Sequence, residues 1–486
     1  MVYGSNLNAM SVVYLMNCLI RYNKNGRIKA MFDKKINQYY KENFTEVLQT
    51  TFNPDGPGSI RIHLLPAKLE DKPESSLVIV NGRDILPLNK YWTVMLAEFI
   101  KEVNEFDGKT ISDSDLEGIF ERSYQSSKKV IPLLPKAVFR KNIRRVAHTF
   151  KQLSVGEVPD EKIQWVSVGE YADYMKAPHR MDIMVSAMTK NGKWHCNQKC
   201  VHCYAAGQKL AEEKELSTEE WKTILDKCRK VGIPQVTFTG GEPTMRDDLF
   251  ELIKYGRWFV TRLNTNGIKL TKDYCEGLRQ AELDGLQITF YSHDKDIHNE
   301  LVGTAQYDST VDGIKNAVEA GLNPSINTPL CTLNKDYVST LKFLHELGVT
   351  YVTCSGLITT GNAVGEKSKS LQLSVKELKQ ILIDACDYAF SNDMEINFTS
   401  PGWLEESFFE ELGIPKPNCG ACLSNMAITP SGNVVPCQSW LSSDVLGNML
   451  NDEWESIWEH PFCKKRRDYS SLMLGSCPLR KGRGGI

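Results

Sequence analysis

The stretch MDIMVSAMTKNGKWHCNQKCVHCYA (residues 181–205) joins a β-rich apolar run to three cysteines, Cys196, Cys200 and Cys203. Their spacing, CxxxCxxC, differs from the paired cysteines of structural zinc sites, and no fourth cysteine lies beside them. An iron–sulfur cluster of four irons held by three thiolates keeps one iron open for another ligand. The spacing therefore favours such a cluster, with zinc as the alternative.

The region that contains this stretch alternates β-rich runs with helical segments. Six further β-rich runs begin at Gln235, Phe259, Leu286, Pro324, Thr350 and Glu395. The segments between them have apolar residues at a period near 3.6, and one opens with a capping box at Ser217 and Glu220. Repeated strand–helix units predict parallel strands joined by right-handed crossovers, hence an α/β sheet or barrel. The cysteines follow the first strand, at the carboxyl edge where functional sites of such folds collect.

Composition limits the class of protein. A chain of 486 residues with 41% hydrophobic content is long enough for two or three domains. The formal net charge of −2 indicates no polyanionic partner for the molecule as a whole. No apolar run reaches the roughly 18 residues of a membrane span. The run MSVVYLMNCLI (residues 10–20) lacks a basic leader and is interpreted as an ordinary helix, so a cytoplasmic location is expected. Fourteen cysteines in that compartment suggest metal binding or catalysis.

The segment 76–153 has a different pattern. Two β-rich runs flank Asn81-Gly82, a strong hairpin signal, and three helical segments follow. This order predicts a winged-helix-like α+β module. Its last helix is basic, which fits either a solvated face or a recognition helix for nucleic acid; the residues are Lys136, Arg140, Lys141, Arg144, Arg145 and Lys151. Residues 1–75 are unclear, and NPDGPGS (residues 53–59) is typical of a loop.

The tetrapeptide GGEP (residues 240–243) follows the second strand of the α/β region directly. Glycines there allow backbone groups to approach a ligand, and the Glu242 carboxylate suits an α-amino group. A strand-to-helix turn with a cap is the simpler interpretation of the tetrapeptide alone.

Together, CxxxCxxC and GGEP resemble the radical S-adenosylmethionine (SAM) superfamily. The resemblance implies a partial (β/α)6 barrel and a 4Fe–4S cluster whose open iron binds the methionine part of SAM. Reduction would give a 5′-deoxyadenosyl radical that abstracts a substrate hydrogen. Residues carried over from the family are Cys196, Cys200 and Cys203 as cluster ligands, Gly240, Gly241 and Glu242 at the methionine amino group, and Thr289 and Asn327 near the ribose or carboxylate. His202 stands where the family usually has an aromatic residue.

The carboxyl-terminal cysteines resemble the SPASM/twitch extension, which binds auxiliary clusters. Cys419, Cys422 and Cys437 match its first half, and Cys477 matches the first cysteine of a block whose remainder is missing. The resemblance implies one auxiliary 4Fe–4S cluster, with Cys477 preferred over Cys463 as fourth ligand. An open iron at that cluster and a structural zinc knuckle are the alternatives.

The amino-terminal module resembles the precursor-recognition element of ribosomal peptide modification. Such elements bind a leader peptide as an extra strand beside the wing, with the third helix forming the groove. The predicted division is an unclear extension (1–75), the recognition module (76–155), the radical SAM barrel (178–400) and the auxiliary-cluster domain (401–486). A precursor peptide and a flavodoxin or ferredoxin are the expected partners, without nucleic acid or membrane.

The predicted activity is that of an oxidoreductase-type radical SAM peptide maturase, forming a thioether or carbon–carbon cross-link. One alternative is a peptide epimerase, in which Cys331 or Cys354 returns a hydrogen; both cysteines also suit plain packing. Another is a side-chain dehydrogenase of the sulfatase-maturase type. A metal-sensing winged-helix DNA-binding regulator is the remote alternative, because it leaves GGEP and the repeated strand–helix units unexplained.

Overall fold

The computed structural model describes residues 27–52, 60–66, 74–106, 110–162, 165–365, 370–473 and 475–480. The predicted helix at residues 10–20, which includes Cys18, and the predicted loop at residues 53–59 lie outside these ranges. The chain divides into two compact units, Met1–Ser167 and Val168–Ile486. The finer division into four parts stays a prediction.

The first unit is a four-stranded antiparallel sheet with helices packed on it. The sheet order is β1-β2-β3-β4, with β1 (Leu48–Phe52), β2 (Ile60–Pro66), β3 (Glu74–Val80) and β4 (Asp84–Asn89). The helices are α1 (Arg27–Asn43), α2 (Lys90–Asn104), α3 (Asp113–Val130) and α4 (Lys136–Ser154). The hairpin predicted around Asn81-Gly82 is β3–β4, and both turn residues adopt positive φ angles (49° and 69°) that Asn and Gly tolerate best.

Local sequence fixes where these helices begin. The Asn89 side chain accepts hydrogen bonds from the backbone of Tyr91 and Trp92 at the start of α2. Ser112 and Asp115 form a capping box at the start of α3. The apolar faces of α2, α3 and α4 then meet the sheet in one core, whose fully buried members include Ile62, Leu64, Val78, Val94, Ile100, Ile119 and Phe139. Burial of these side chains supplies the main stabilisation of the unit.

The second unit is built on one ten-stranded sheet. Its strands are β5 (Arg180–Ser186), β8 (Gln235–Gly240), β9 (Val260–Thr265), β10 (Gly285–Thr289), β11 (Ser325–Leu330), β12 (Tyr351–Gly356), β13 (Glu395–Phe398), β14 (Asn425–Ile428), β15 (Asn433–Val435) and β16 (Gly447–Asn448). The order is β13-β12-β11-β10-β9-β8-β5-β14-β15-β16. Neighbours from β13 to β14 pair in parallel, while β15 and β16 are antiparallel. The predicted α/β class is confirmed, and the sheet is open, as expected for a partial barrel.

Helices follow most of these strands, and the last two helices follow β16. They are α5 (Thr218–Val231), α6 (Leu249–Tyr255), α7 (Lys272–Gln280), α8 (Lys295–Val302), α9 (Tyr307–Glu319), α10 (Tyr337–Glu346), α11 (Val375–Ser391), α12 (Glu406–Leu412), α13 (Trp454–Trp458) and α14 (Pro461–Ser471). The predicted capping box of Ser217 and Glu220 opens α5. Cys228, Cys275 and Cys386 are buried on helices α5, α7 and α11, as packing residues would be.

Two buried histidines make the second unit sensitive to acid. Burial lowers the pKa of His179 and of His298 to about 4, from an ordinary value of 6.5. Between these values the unfolded chain binds more protons than the folded one, so stability falls as the pH decreases through this window. We expect a loss of up to about 1.4 kcal/mol per pH unit for each histidine. Chemical denaturation at several pH values measures this slope, and replacing both residues with Gln should reduce it, leaving the contribution of the buried His202, whose pKa is also lowered to about 4. An unchanged slope in that double variant would contradict the assignment.

Candidate active site and auxiliary cysteine site

The cysteine loop, residues 195–208, follows β5 and the short hairpin of β6 (Thr189–Lys190) and β7 (Lys193–Trp194). The indole N–H of Trp194 donates to the Gln198 carbonyl at 2.7 Å. The backbone N–H groups of Lys199 and Val201 donate to carbonyls of residues 302 and 301, at the end of α8. The first half of the loop that carries the three cysteines is thus held by the β6–β7 hairpin and by the end of α8.

Two glycines let other segments approach this loop closely. A Cβ atom on Gly303 would lie 2.4 Å from the Lys199 carbonyl oxygen, and one on Gly361 would lie 2.4 Å from that of Cys203. Next to Gly361, the Asn362 backbone N–H donates to the Cys203 carbonyl at 2.9 Å. The Asn362 side chain donates to the Cys200 carbonyl at 3.1 Å. These contacts fix the backbone from which two of the thiols project.

The three thiols share a desolvated environment. Burial raises the pKa of Cys196 to about 12, and it also raises the pKa of Cys200 and Cys203. Negative charge on one thiol raises the pKa of another, because the side chains are close together. A hydrogen bond with Tyr291 acts in the opposite direction at Cys200. Iron cations would supply the positive charge that three buried thiolates need.

Buried polar atoms beside these thiols lack partners within the described part of the chain. Both ring nitrogens of His202 and the side-chain nitrogen of Gln198 have no hydrogen-bond partner there. Burial lowers the pKa of His202 to about 4, so its ring is neutral at physiological pH. Unpaired buried polar atoms cost free energy, and they are expected where a bound group completes the site. The donor set therefore fits an iron–sulfur cluster with a polar cofactor.

The GGEP segment lies against the end of β5. Gly240 has a φ of 138°, and a Cβ atom there would lie 2.2 Å from the Ser186 carbonyl oxygen. A Cβ atom on Gly241 would lie 2.8 Å from the Ala187 carbonyl oxygen. The Cys196 thiol donates to the Gly241 carbonyl at 3.5 Å. The two glycines thus allow a contact between β8, β5 and the cysteine loop that no side chain permits.

The Glu242 carboxylate is fully buried and bonded within the protein. One oxygen accepts the Thr244 backbone N–H (3.0 Å) and the hydroxyls of Thr244 and Thr265 (each 2.6 Å). The other accepts the Asn266 backbone N–H at 2.9 Å. Burial raises the pKa of Glu242, while these hydrogen bonds act in the opposite direction. In this arrangement the carboxylate ties the end of β8 to the end of β9. Its predicted contact with a methionine amino group stays a prediction.

Two further predicted cofactor residues are neighbours. Thr289 ends β10 and is paired in register with Asn327 on β11. The Asn327 side chain accepts the Thr353 hydroxyl of β12 at 3.0 Å. These polar side chains form a row across three adjacent strands. The row fits a polar ligand, and its role in binding SAM stays a prediction.

The two candidate hydrogen-donor cysteines lie in different surroundings. Cys331 is fully buried in an apolar cluster with Tyr291, against which Cys200 also packs. Cys354 on β12 is close to Tyr337 of α10 and Cys386 of α11, so its thiol faces the helical layer. Placement among helices favours packing for Cys354, and Cys331 is the candidate near the cysteine loop.

The carboxyl-terminal cysteines converge after β13. Burial raises the pKa of Cys437 to about 12, and nearby Cys419 and Cys477 add to the effect. Cys422 and Cys463 hydrogen-bond each other through their thiols, and this bond lowers the pKa of Cys463. Both candidates for a fourth ligand, Cys477 and Cys463, therefore lie beside the three predicted ligands. These are Cys419, Cys422 and Cys437. No group of three His, Cys, Asp or Glu side chains in the described residues is spaced to hold a single metal ion.

Sequence reasoning missed three residues around these sites. Tyr291 follows Thr289 by two positions and contacts Cys200. The Asn266 side chain donates to the Asn197 side chain at 2.6 Å, joining the end of β9 to the cysteine loop. Arg466 lies beside Cys419. Only Arg466 left a local signal, because it lies three positions after Cys463 on a helix.

Comparison with known proteins identifies the families of the two regions that carry these cysteines. Residues 195–344 match the radical SAM superfamily, and residues 419–478 match the iron–sulfur cluster-binding domain SPASM. The chain contains a radical SAM domain and an SPASM domain. The expected cofactor classes, SAM, a 4Fe–4S cluster and an auxiliary cluster, are thereby confirmed. No helix in the described part of this radical SAM enzyme is long and apolar enough to cross a membrane.

The curated relatives of this chain are named for different activities. An AdoMet-dependent heme synthase from Oleidesulfovibrio alaskensis is 28% identical over 281 residues, 54% of this chain and 71% of that protein. The mycofactocin maturase MftC from Mycolicibacterium smegmatis is 26% identical over 301 residues, 58% of this chain and 72% of that protein.

A solved structure with a similar fold is that of Streptococcus suis SuiB bound to precursor peptide SuiA. The TM-score is 0.55 at 16% identity, and the match covers 83% of this chain and 92% of that chain. The matched 83% of this chain is more than the second unit, Val168–Ile486, contains, so the similarity in fold extends into the first unit.

A methyl group at Gly240 should disrupt the junction of β5 and β8. We expect Gly240→Ala to lower the free energy of unfolding by about 3 kcal/mol or more, because the added Cβ meets the Ser186 carbonyl. Gly192→Ala is the matched control, since its φ is also positive (71°) but its Cβ meets open space. The control should lose about 1 kcal/mol. Equal losses for the two variants, measured by chemical denaturation, would show that the contact is unimportant.

Proposed function

We propose that this radical SAM enzyme modifies a ribosomally made peptide and forms a thioether or carbon–carbon cross-link. The observation that carries the proposal is the combination of the two cysteine sites in one sheet with a separate antiparallel unit suited to binding an extended peptide. The relatives named above include a peptide maturase, and a similar fold binds a precursor peptide.

In this proposal Cys196, Cys200 and Cys203 hold the cluster that binds SAM. With SAM bound, this cluster supplies hydrogen-atom abstraction from the substrate. The Gly240-Gly241 backbone holds the methionine part of SAM, while Glu242 keeps that backbone in place. Thr289 and Asn327 contribute polar groups on adjacent strands. The low-potential electron comes from a flavodoxin or ferredoxin in the cytoplasm.

The exposed edge of β4 is the proposed site for a leader peptide. β4 is the last strand in the sheet order, and Pro87 within it cannot donate a backbone hydrogen bond, which is typical of edge strands. The chain's own Val166 N–H donates to the Ile85 carbonyl at this edge, at 3.3 Å. A peptide strand here would therefore extend or replace a contact that the protein already makes with itself.

The basic helix α4 is already paired with carboxylates of its own unit. Arg140 pairs with Glu117, and Arg145 pairs with Glu161, which lies in the segment after α4. His148 on the same helix lies 3.1 Å from Asp160 of that segment. An acidic leader would thus compete with this acidic segment for the basic face of α4.

A tetrapyrrole is the second candidate class of substrate, because a heme synthase is among the relatives. The antiparallel first unit favours the peptide, since an extended strand can pair with its edge. Inversion of a residue and dehydrogenation of a side chain remain alternative outcomes on a peptide.

The mass of the product tests the proposal. Reduced enzyme with reconstituted clusters is incubated with SAM and the small peptide encoded beside its gene. We expect 5′-deoxyadenosine and a peptide lighter by a pair of hydrogens, with tandem mass spectrometry locating a cross-link. An unchanged mass with deuterium uptake from solvent would indicate inversion instead. Conversion of an iron porphyrin to haem, with the peptide unchanged, would favour the second class.

Iron content tests the proposed auxiliary ligands Cys419, Cys422, Cys437 and Cys477. The test uses a protein in which Cys196, Cys200 and Cys203 are replaced by Ala, so that only the auxiliary cluster binds iron. In that background we expect Cys477→Ala to lose most of the remaining iron and its visible absorption, and Cys463→Ala to keep both. The reverse result would assign Cys463 as the fourth ligand.

A further inference from the structure

The helix α14 lies directly against the auxiliary cysteine site. Its buried face carries Cys463, Arg467 and Ser470, and the Ser470 hydroxyl donates to the Ala421 carbonyl at 2.8 Å. Ala421 lies between Cys419 and Cys422 in sequence, so this bond docks the helix on the loop of the auxiliary ligands.

Two consecutive arginines on this helix point at thiols. Arg466 Nη2 lies 3.6 Å from the Cys419 sulfur, and Arg467 Nη1 lies 3.7 Å from the Cys463 sulfur. Such guanidinium–sulfur contacts are charge-assisted when the sulfur is a thiolate. Arg466 thus contacts a proposed ligand of the auxiliary cluster directly, whereas Arg467 contacts Cys463, whose thiol hydrogen-bonds the proposed ligand Cys422.

Both guanidinium groups are held in place by other contacts. Arg466 stacks on the Tyr469 ring, with 4.1 Å between its guanidinium carbon and the ring centroid. Arg467 lies 3.9 Å from the Trp458 ring centroid and donates to the Trp458 carbonyl at 3.0 Å. The Arg467 side chain is largely buried, and the carboxylate nearest to it, Glu459 at 3.7 Å, is largely exposed. Both guanidinium groups are therefore held rigidly, and Arg467 is also desolvated, which strengthens its effect on a nearby cluster.

The radical SAM cysteines have a different electrostatic environment. Their polar contacts include backbone groups of Gln198, Ala205 and Ala206, the Gly241 carbonyl, the Gln198 side chain and the Tyr291 hydroxyl, and the Glu242 carboxylate lies close to Cys196. Neutral and acidic groups thus surround one site, and arginines contact the other. Hydrogen bonds and positive charge at cluster sulfurs raise the reduction potential, because they stabilise the more negative reduced state.

We propose that Arg466 and Arg467 are positioning residues that raise the reduction potential of the auxiliary cluster above that of the radical SAM cluster. This inference rests on the proposed auxiliary cluster and explains how that cluster could serve as an electron acceptor in cross-linking. The electron released when a substrate radical closes a bond and loses a proton would pass to the auxiliary cluster. A ferredoxin or flavodoxin would then remove it.

A redox titration followed by electron paramagnetic resonance tests the inference without substrate. The protein again has Cys196, Cys200 and Cys203 replaced by Ala, so the signal comes from the auxiliary cluster alone. We expect Arg466→Gln to shift the midpoint potential to a lower value and Arg466→Lys, which keeps the charge, to shift it less. Lys465→Gln is the matched control, because it removes a charge from an exposed position of the same helix and should leave the potential unchanged.

The outcomes separate this inference from the proposed function. An unchanged potential in Arg466→Gln, at full iron content, would overturn the inference and leave the peptide activity standing. Equal shifts for Arg466→Gln and Lys465→Gln would also overturn it, since position would not matter. A parent protein without any auxiliary cluster would overturn both. If Arg466→Gln fails to fold, the midpoint potential of Arg467→Lys provides a second test.

Discussion

The buried Glu242 carboxylate organises the active-site end of the sheet. It accepts hydrogen bonds from two successive strand ends, through Thr244 on one side and Thr265 and Asn266 on the other. Asn266 in turn bonds to Asn197 in the cysteine loop. A charged group without partners would be costly at this depth, whereas a fully bonded one fixes the backbone around it. The position of the thiols relative to the strands therefore depends on the hydrogen bonds that this carboxylate accepts.

The same geometry explains why the cysteine site needs glycines. Gly240 and Gly241 lie where the end of β8 closely approaches the end of its parallel neighbour β5, and no side chain fits between the two backbones. Gly303 and Gly361 play the same part on the other side of the cysteine loop. Close backbone packing of this kind leaves carbonyl groups, such as that of Gly241, facing the thiols. The site is thus built largely from main-chain atoms, which constrains the glycines as strongly as the cysteines.

Much of this arrangement could be predicted from sequence because its signals are local. Strand and helix periods, capping boxes and short cysteine spacings each lie within a few residues, and the seven predicted strands of the barrel region are present. The face of β12 on which Cys354 lies could not be predicted from the sequence. Both faces of that strand are buried, so its apolar and polar residues do not alternate. β1 and β2 were missed because β1 (LQTTF) has few apolar residues and polar segments flank both strands. The contact of Arg466 with Cys419 depends on tertiary docking.

The parallel pairing of β14 with β5 has a further consequence for the architecture. β5 precedes the cysteine loop, and its outer side is covered by a strand from the SPASM region, in register from Arg180 to Ile183. Without that cover, β5 would present a row of unpaired backbone groups along this edge of the sheet. Exposed edges of this kind recruit strands from other molecules. By pairing with β5, the SPASM region also protects this edge from aggregation. A barrel expressed without the SPASM region would expose β5 as an aggregation-prone edge strand.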